Sequence, residues 1–158
     1  DTAISLLAAG APMVVGSRGL ASSVVEARHS AVRRAGAAVF RATARQVVRG
    51  ATDTQCGFKF FSGPLARAAA LPLRTAGFAF DLELIACCQR LGATLTEIPV
   101  AWRDVPGSTF SVSHHSAGIV RDLAAIWLRH RLARLPSAPA PLALAVSPPA
   151  LPAAVRTA

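Results

Sequence analysis

Pro12-Met13-Val14-Val15-Gly16 is a short apolar run, rich in β-branched residues and bounded by proline and glycine. It reads as a buried strand that delivers Ser17 and Arg18 to its C-terminal end. Ahead of it, residues 1 to 9 read as the end of a helix, with Ile4, Leu7 and Ala8 on one side and Gly10 in the C-cap position. Behind it, Val24 to Val48 has no proline and one glycine, with apolar Val32, Val39, Phe40 and Val47 and with Arg28, Arg33, Arg34, Arg41 and Arg45 between them. That pattern predicts one long or broken basic helix.

Further on, Asp53-Thr54-Gln55-Cys56-Gly57-Phe58-Lys59-Phe60-Phe61 takes a polar loop into an aromatic strand. Ser62 and Pro64 suit N-cap and early helical positions of a short helix to about Ala70. Phe78 to Leu91 has the helical period, with Phe80, Leu84 and Cys87 or Cys88 inward, and stops at Gly92; Thr94 to Val100 is β-branched and extended. The succession of strand, helix, strand, helix, strand points to an α/β fold. Trp102 to Ser113 reads as a loop. Ser116 to Arg134 reads as a last helix with Ile119, Leu123, Ile126 and Trp127 on one stripe. Residues 136–158 hold six of the 11 prolines and almost no charge, the composition of a disordered tail.

The 158 residues, 53% hydrophobic and 16% charged, match one folded domain with one core. The net charge of +9 rests on arginine, Lys59 being the only lysine, and calls for anionic partners: nucleic acid, anionic membrane or phosphate. Cys56, Cys87 and Cys88 have neither disulfide-framework nor zinc-knuckle spacing, which favours a reducing compartment. No run reaches the roughly 18 apolar residues of a spanning helix, because Arg, Pro or Gly interrupts every candidate. The start at Asp1, without Met or a signal peptide, reads as a cut inside a longer protein.

Chemistry concentrates in residues 53–59, where a carboxylate, a hydroxyl, an amide, a thiol, a glycine and a cation precede a strand. A strand edge presents such groups rigidly, although an Asp-Thr turn leading into an ordinary strand gives the same pattern. Asp81 and Glu83 lie about 200° apart around a helix, so one of them at most faces a given ligand. Arg18, Arg33 and Arg34 either converge with Lys59 on a phosphate or form a solvated basic face; arginine's planar fork suits the former. His114 and His115 point apart and have no further ligand at metal spacing. The Trp127 helix is either core or lies on a membrane with its arginines at the margins. Gly-rich phosphate loop, nucleophile elbow and CxxC are all missing from the sequence.

Four stretches in order, Val14-Val15-Gly16-Ser17-Arg18, Asp53 to Phe61, Phe78-Ala79-Phe80-Asp81-Leu82-Glu83-Leu84 and Glu97-Ile98-Pro99-Val100-Ala101-Trp102, resemble the C-terminal half of family 2 glycosyltransferases. The nearer branch is the polyprenyl-phosphate type, similar to dolichyl-phosphate glucose synthase. The resemblance implies a partial GT-A, Rossmann-like α/β fold lacking its N-terminal nucleotide-binding strands. It divides the chain into an acceptor-side part (1–113), a basic amphipathic helix (114–135) and a Pro/Ala-rich tail (136–158). It implies transfer, with inversion, of a sugar from a nucleotide sugar of the UDP-glucose or GDP-mannose type to a polyprenyl phosphate.

By the same resemblance, Asp53 is the carboxylate beside the reacting sugar, and Arg18, Arg33 or Arg34, and Lys59 hold the acceptor phosphate. Gln55, Asp81, Glu83, Arg103 and Ser108 are further site candidates. A divalent metal, Mg or Mn, belongs mainly to the N-terminal half, with no metal ligand in this chain, so the chain alone is expected to lack a donor site and to be inactive. Gly107-Ser108-Thr109 replaces the family's Gly-Ser-Lys, with Arg103 the nearest cation. The expected location is the cytoplasmic, inner face of a membrane, peripherally, on an anionic surface and away from nucleic acid. The alternative is a small basic α/β module that binds nucleic acid or anionic membrane without catalysis.

Overall fold

β1 (Met13–Ser17) is buried along its whole length because it is the middle strand of a three-stranded sheet. In the computed structural model, which describes residues 1–26, 31–103 and 112–132, β1 pairs antiparallel with β3 (Lys59–Phe61) and parallel with β4 (Leu95–Pro99). Val15 lies opposite both Lys59 and Glu97, and Ser17 opposite Pro99. A second, two-stranded parallel ribbon joins β2 (Val24–Glu26) to β5 (Ala101–Arg103). The helices are α1 (Thr2–Ala8), α2 (Ala31–Ala44), α3 (Gly63–Ala70), α4 (Phe80–Arg90) and α5 (Val112–Leu132). The architecture is mixed α/β with small sheets.

The strand period of two separates the core into two clusters across the sheet. Met13 and Val15 pack with Ala44, Val48, Leu65, Leu82, Ile85, Cys88, Leu123 and Ile126 from the elements around α2 to α5. Val14 points the other way, to Ala3, Leu6, Ala11 and Ile98. Each fully buried Val, Leu, Ile or Met side chain among them contributes about 1.5–3 kcal/mol.

Several expectations are corrected. Val24-Val25-Glu26 is a strand, with the helix confined to Ala31–Ala44, because its β-branched pair finds Trp102 and Ala101 across the ribbon. α1 buries Ala3 and Leu6, while Ile4 faces solvent. In α4 the inward stripe is Leu82, Ile85, Ala86 and Cys88; Phe80, at the first turn, is exposed. Trp127 is partly exposed, off the Leu123–Ile126 stripe. Trp102 and Arg103 belong to β5 and not to a loop. Ser62 is the N-cap of α3, but its hydroxyl makes no capping bond. Residues 104–111, with Ser108, and the 136–158 tail lie outside the described residues, as do the side chains of Arg33, His114 and His115.

Gly16 is required by close approach. A Cβ there would sit 2.7 Å from Val100 Cγ1, 3.1 Å from Phe58 Cβ and 3.2 Å from the Cys56 sulfur. The Gly16 amide donates to the Phe58 carbonyl at 2.7 Å, so the 56–58 segment lies directly on the backbone of β1. This seats the polar 52–55 turn against Ser17 and Arg18.

Candidate active site

β1 and β4 run parallel, so their C-terminal ends meet at one rim, where open α/β sheets place ligands. Ser17 and Arg18 arrive there from β1, Glu97 comes from β4, and Thr52 and Asp53 come from the turn after α2.

Two adjacent pairs join β1 to that turn. Ser17 Oγ lies 2.6 Å from Thr52 Oγ1. Arg18 donates to Asp53 three times: Nε to Oδ2 at 2.6 Å, Nη2 to Oδ1 at 3.0 Å, and its backbone amide to Oδ2 at 3.1 Å. The Gln55 amide donates to Asp53 Oδ1 at 3.0 Å, so the two carboxylate oxygens receive four donors. Burial works against ionisation of Asp53, but the hydrogen bonds and charge of Arg18 outweigh it and hold the carboxyl below its ordinary range. The same hydrogen bond raises the Arg18 pKa despite partial burial.

The Arg18 guanidinium also stands 5.3 Å from the Trp102 ring centroid, a cation–π distance. Of five guanidinium N–H groups, Asp53 takes one on Nε and one on Nη2, which leaves three without a partner among the described residues. With about a third of the side chain exposed, that outer edge carries planar N–H donors of the kind that suit the oxygens of an anion.

Glu97 underpins the turn. Its Oε1 accepts the backbone amides of Thr52 at 2.9 Å and Asp53 at 3.2 Å, and its two oxygens lie 3.0 and 2.9 Å from Thr52 Oγ1. A carboxylate only accepts, so Thr52 donates its single hydroxyl proton to Glu97. Ser17 Oγ therefore donates to Thr52, and the Gly19 amide donates to Ser17 Oγ at 3.3 Å.

Lys59, expected beside Arg18 on a phosphate, is instead buried, bound to the Cys56 carbonyl and 3.1 Å from Asp81. Glu83 is spent on a structural tie: at 2% exposure it accepts the Arg74 and Thr75 amides at 3.2 and 2.7 Å and Arg129 Nη2 at 2.8 Å, joining α4 to α5. Burial disfavours its charge, and these donors more than compensate, lowering its pKa. Arg103 pairs with Glu26 at 2.7 Å across the β2–β5 ribbon. Arg34 is exposed on α2. The Gln55 side-chain Nε2 is buried without a hydrogen-bond partner among the described residues. The three cysteines are free and buried, and burial with the neighbouring Cys87 pushes the Cys88 thiol up to about 12.

Among the described residues no group of three or more His, Cys, Asp or Glu is arranged to hold a metal ion. Asp53, Glu83 and Glu97 already spend their oxygens on N–H and O–H donors, so the divalent metal that the resemblance implies does not fit them.

The chain is 36% identical over 83 residues to a dolichyl-phosphate beta-glucosyltransferase of Drosophila melanogaster, covering 52% of this chain and 26% of the relative. The Saccharomyces cerevisiae enzyme of that name is 36% identical over 89 residues (54% and 25%), and the Homo sapiens one 35% over 83 (52% and 26%). Over half its length, this chain is similar to dolichyl-phosphate beta-glucosyltransferases. The matched stretch spans about a quarter of each of these relatives. No family model matches, and no solved structure matches. The alternative of a non-catalytic basic module gains no support from these relatives.

Ser17, Thr52, Glu97 and Trp102 were not singled out as site residues by sequence reasoning. Glu97 did carry a signal: it is the one acid in the β-branched Thr94 to Val100 run, and a carboxylate within a strand demands partners.

Proposed function

We propose that this chain carries the acceptor-phosphate side of an inverting family 2 glycosyltransferase whose acceptor is a polyprenyl phosphate, on a GT-A-like fold. The observation that carries the reading is the Arg18 edge, anchored by Asp53, beside Trp102 and presenting three N–H groups at the shared rim of β1 and β4. A phosphate monoester is largely dianionic at neutral pH and needs cationic neutralisation more than a base. One of its oxygens forms the bond to the sugar carbon as the bond from that carbon to the nucleoside diphosphate breaks, with inversion. In this reading Asp53 acts by fixing Arg18, since accepting a proton would break the pair. The nucleotide sugar, of the UDP-glucose or GDP-mannose type, and a divalent metal complete the enzyme through residues other than those described.

Residence on the inner face of a membrane belongs to the same reading. Val120, Trp127 and Leu128 are exposed on α5 next to Arg121 and Arg131, the latter 4.9 Å from the Trp127 ring, an arrangement suited to an anionic interface. No helix among the described residues is long and apolar enough to cross a membrane.

Calorimetric titration with farnesyl phosphate, a short polyprenyl phosphate, tests the reading. The chain should bind it and not farnesol, and Arg18→Ala should weaken binding at least about tenfold. Equal binding of farnesol, or binding unchanged in Arg18→Ala, overturns the reading. Steep, salt-sensitive duplex binding would favour the basic module.

A further inference from the structure

We infer that Glu97 is a positioning residue for phosphate capture: it sets the 52–53 turn so that Asp53 holds Arg18 with its outer edge free. The inference deepens the proposed function and rests on Arg18 being the phosphate receptor.

Asp53 has no regular strand or helix to fix its direction, since it lies in the turn that follows α2. Its backbone amide and that of Thr52 both end on one oxygen of Glu97, at 3.2 and 2.9 Å. Glu97 is in turn held in the β4 ladder, paired with Val15 two residues before Ser17. The carboxylate thus transfers the rigidity of the central sheet to the turn. Through Thr52 it also orders the Ser17 hydroxyl, on the residue immediately before Arg18. Both ends of the Arg18–Asp53 pair are then referred to one side chain, which touches neither the guanidinium nor the phosphate it would receive.

The sign of the effect separates positioning from simple electrostatics. A carboxylate near an anion site repels the anion, so by charge alone its removal strengthens phosphate binding. If Glu97 positions, its removal weakens binding although the site becomes more positive. Glu97→Gln keeps one acceptor oxygen for the two amides but can present an N–H to the Thr52 hydroxyl, and should fall between wild type and Glu97→Ala.

The test is a double-mutant cycle on the whole chain, read by farnesyl phosphate titration and by NMR of the Arg18 Nε–H, whose exchange is slowed while it is bonded to Asp53. Glu97→Ala should weaken binding about tenfold and Glu97→Gln about threefold. Glu97→Ala should add little in an Asp53→Asn background, because it acts through that carboxylate. The Nε–H should lose its protection in Glu97→Ala without ligand present, which tests the positioning even if farnesyl phosphate fails to bind. Where Glu97→Ala loses its cooperative melt, Thr52→Val, which removes the hydroxyl that links Glu97 to Ser17 and keeps both backbone amides on Glu97, takes its place in the cycle. Tighter binding, additive losses, or an undisturbed Nε–H overturns the inference. Loss of binding in Arg18→Ala together with any of these overturns the role of Glu97 alone and leaves the phosphate site standing.

Discussion

Arg18 and Asp53, 35 positions apart in sequence, meet in a side-chain fork of 2.6 and 3.0 Å, closed by a third bond from the Arg18 amide. The carboxylate is an anchor before it is anything else, and its lowered pKa is a direct result of that contact. The cation it anchors is narrowed to one outward edge, which is the geometry a phosphate oxygen needs.

Acid stability follows from this pairing. Asp53 and Glu83 both have folded pKa values below their unfolded ones, so the stability they add is present above the ordinary carboxylate range, about pH 4, and is lost as pH falls through the lowered values. Asp53→Asn should flatten that acid limb in a urea-denaturation series from pH 6 to pH 2. An unchanged limb would mean that the pair does not outlast solvation in solution.

Arg18→Lys keeps the charge but cannot make the fork to both Asp53 oxygens and still face outward. Farnesyl phosphate affinity should fall about three- to tenfold, with a small change in melting temperature. Retained affinity would reduce the site to a point charge.

Gly16→Ala places a methyl group 2.7 Å from Val100 Cγ1 and tight against Phe58 and Cys56. It should cost about 1–3 kcal/mol by chemical denaturation and loosen the 56–58 segment from β1. A neutral result would show that the segment shifts freely.

Glu83→Ala leaves the Arg74 and Thr75 amides and Arg129 without their shared acceptor. A loss of at least about 2 kcal/mol is expected, because buried donors left unsatisfied cost about 1–3 kcal/mol each. Proteolysis should then release α5 first; release of another element would contradict the tie between α4 and α5.

Where local pattern and tertiary packing agreed, the fold was legible. The Met13–Ser17 run, the aromatic Lys59–Phe61 segment and the β-branched Leu95–Pro99 segment all became strands of one sheet. Val24-Val25 looked helical because nothing near it breaks a helix, while its partner lies 77 residues on, where Val24 faces Ala101. The helical period of Phe78 to Leu91 gives the spacing of the inward stripe but not its phase, so it points Phe80 inward where the buried stripe starts at Leu82.

The candidate site divides the same way. Arg18 and Asp53 stood out by residue type and setting, but that they bind each other is a property of the sheet's register with the turn. Lys59 looked like a third phosphate ligand until Val15 opposite it fixed its side of the sheet, among α4 residues and next to Asp81.

In the proposed function a phosphomonoester docks on the outer edge of Arg18 while Asp53 holds the inner one. A crystal structure of the chain with farnesyl phosphate tests this most directly. Phosphate oxygens should lie about 3 Å from the Arg18 Nη atoms, with the Arg18–Asp53 fork intact. A phosphate seated on the α2 arginines, with Arg18 untouched, would contradict it.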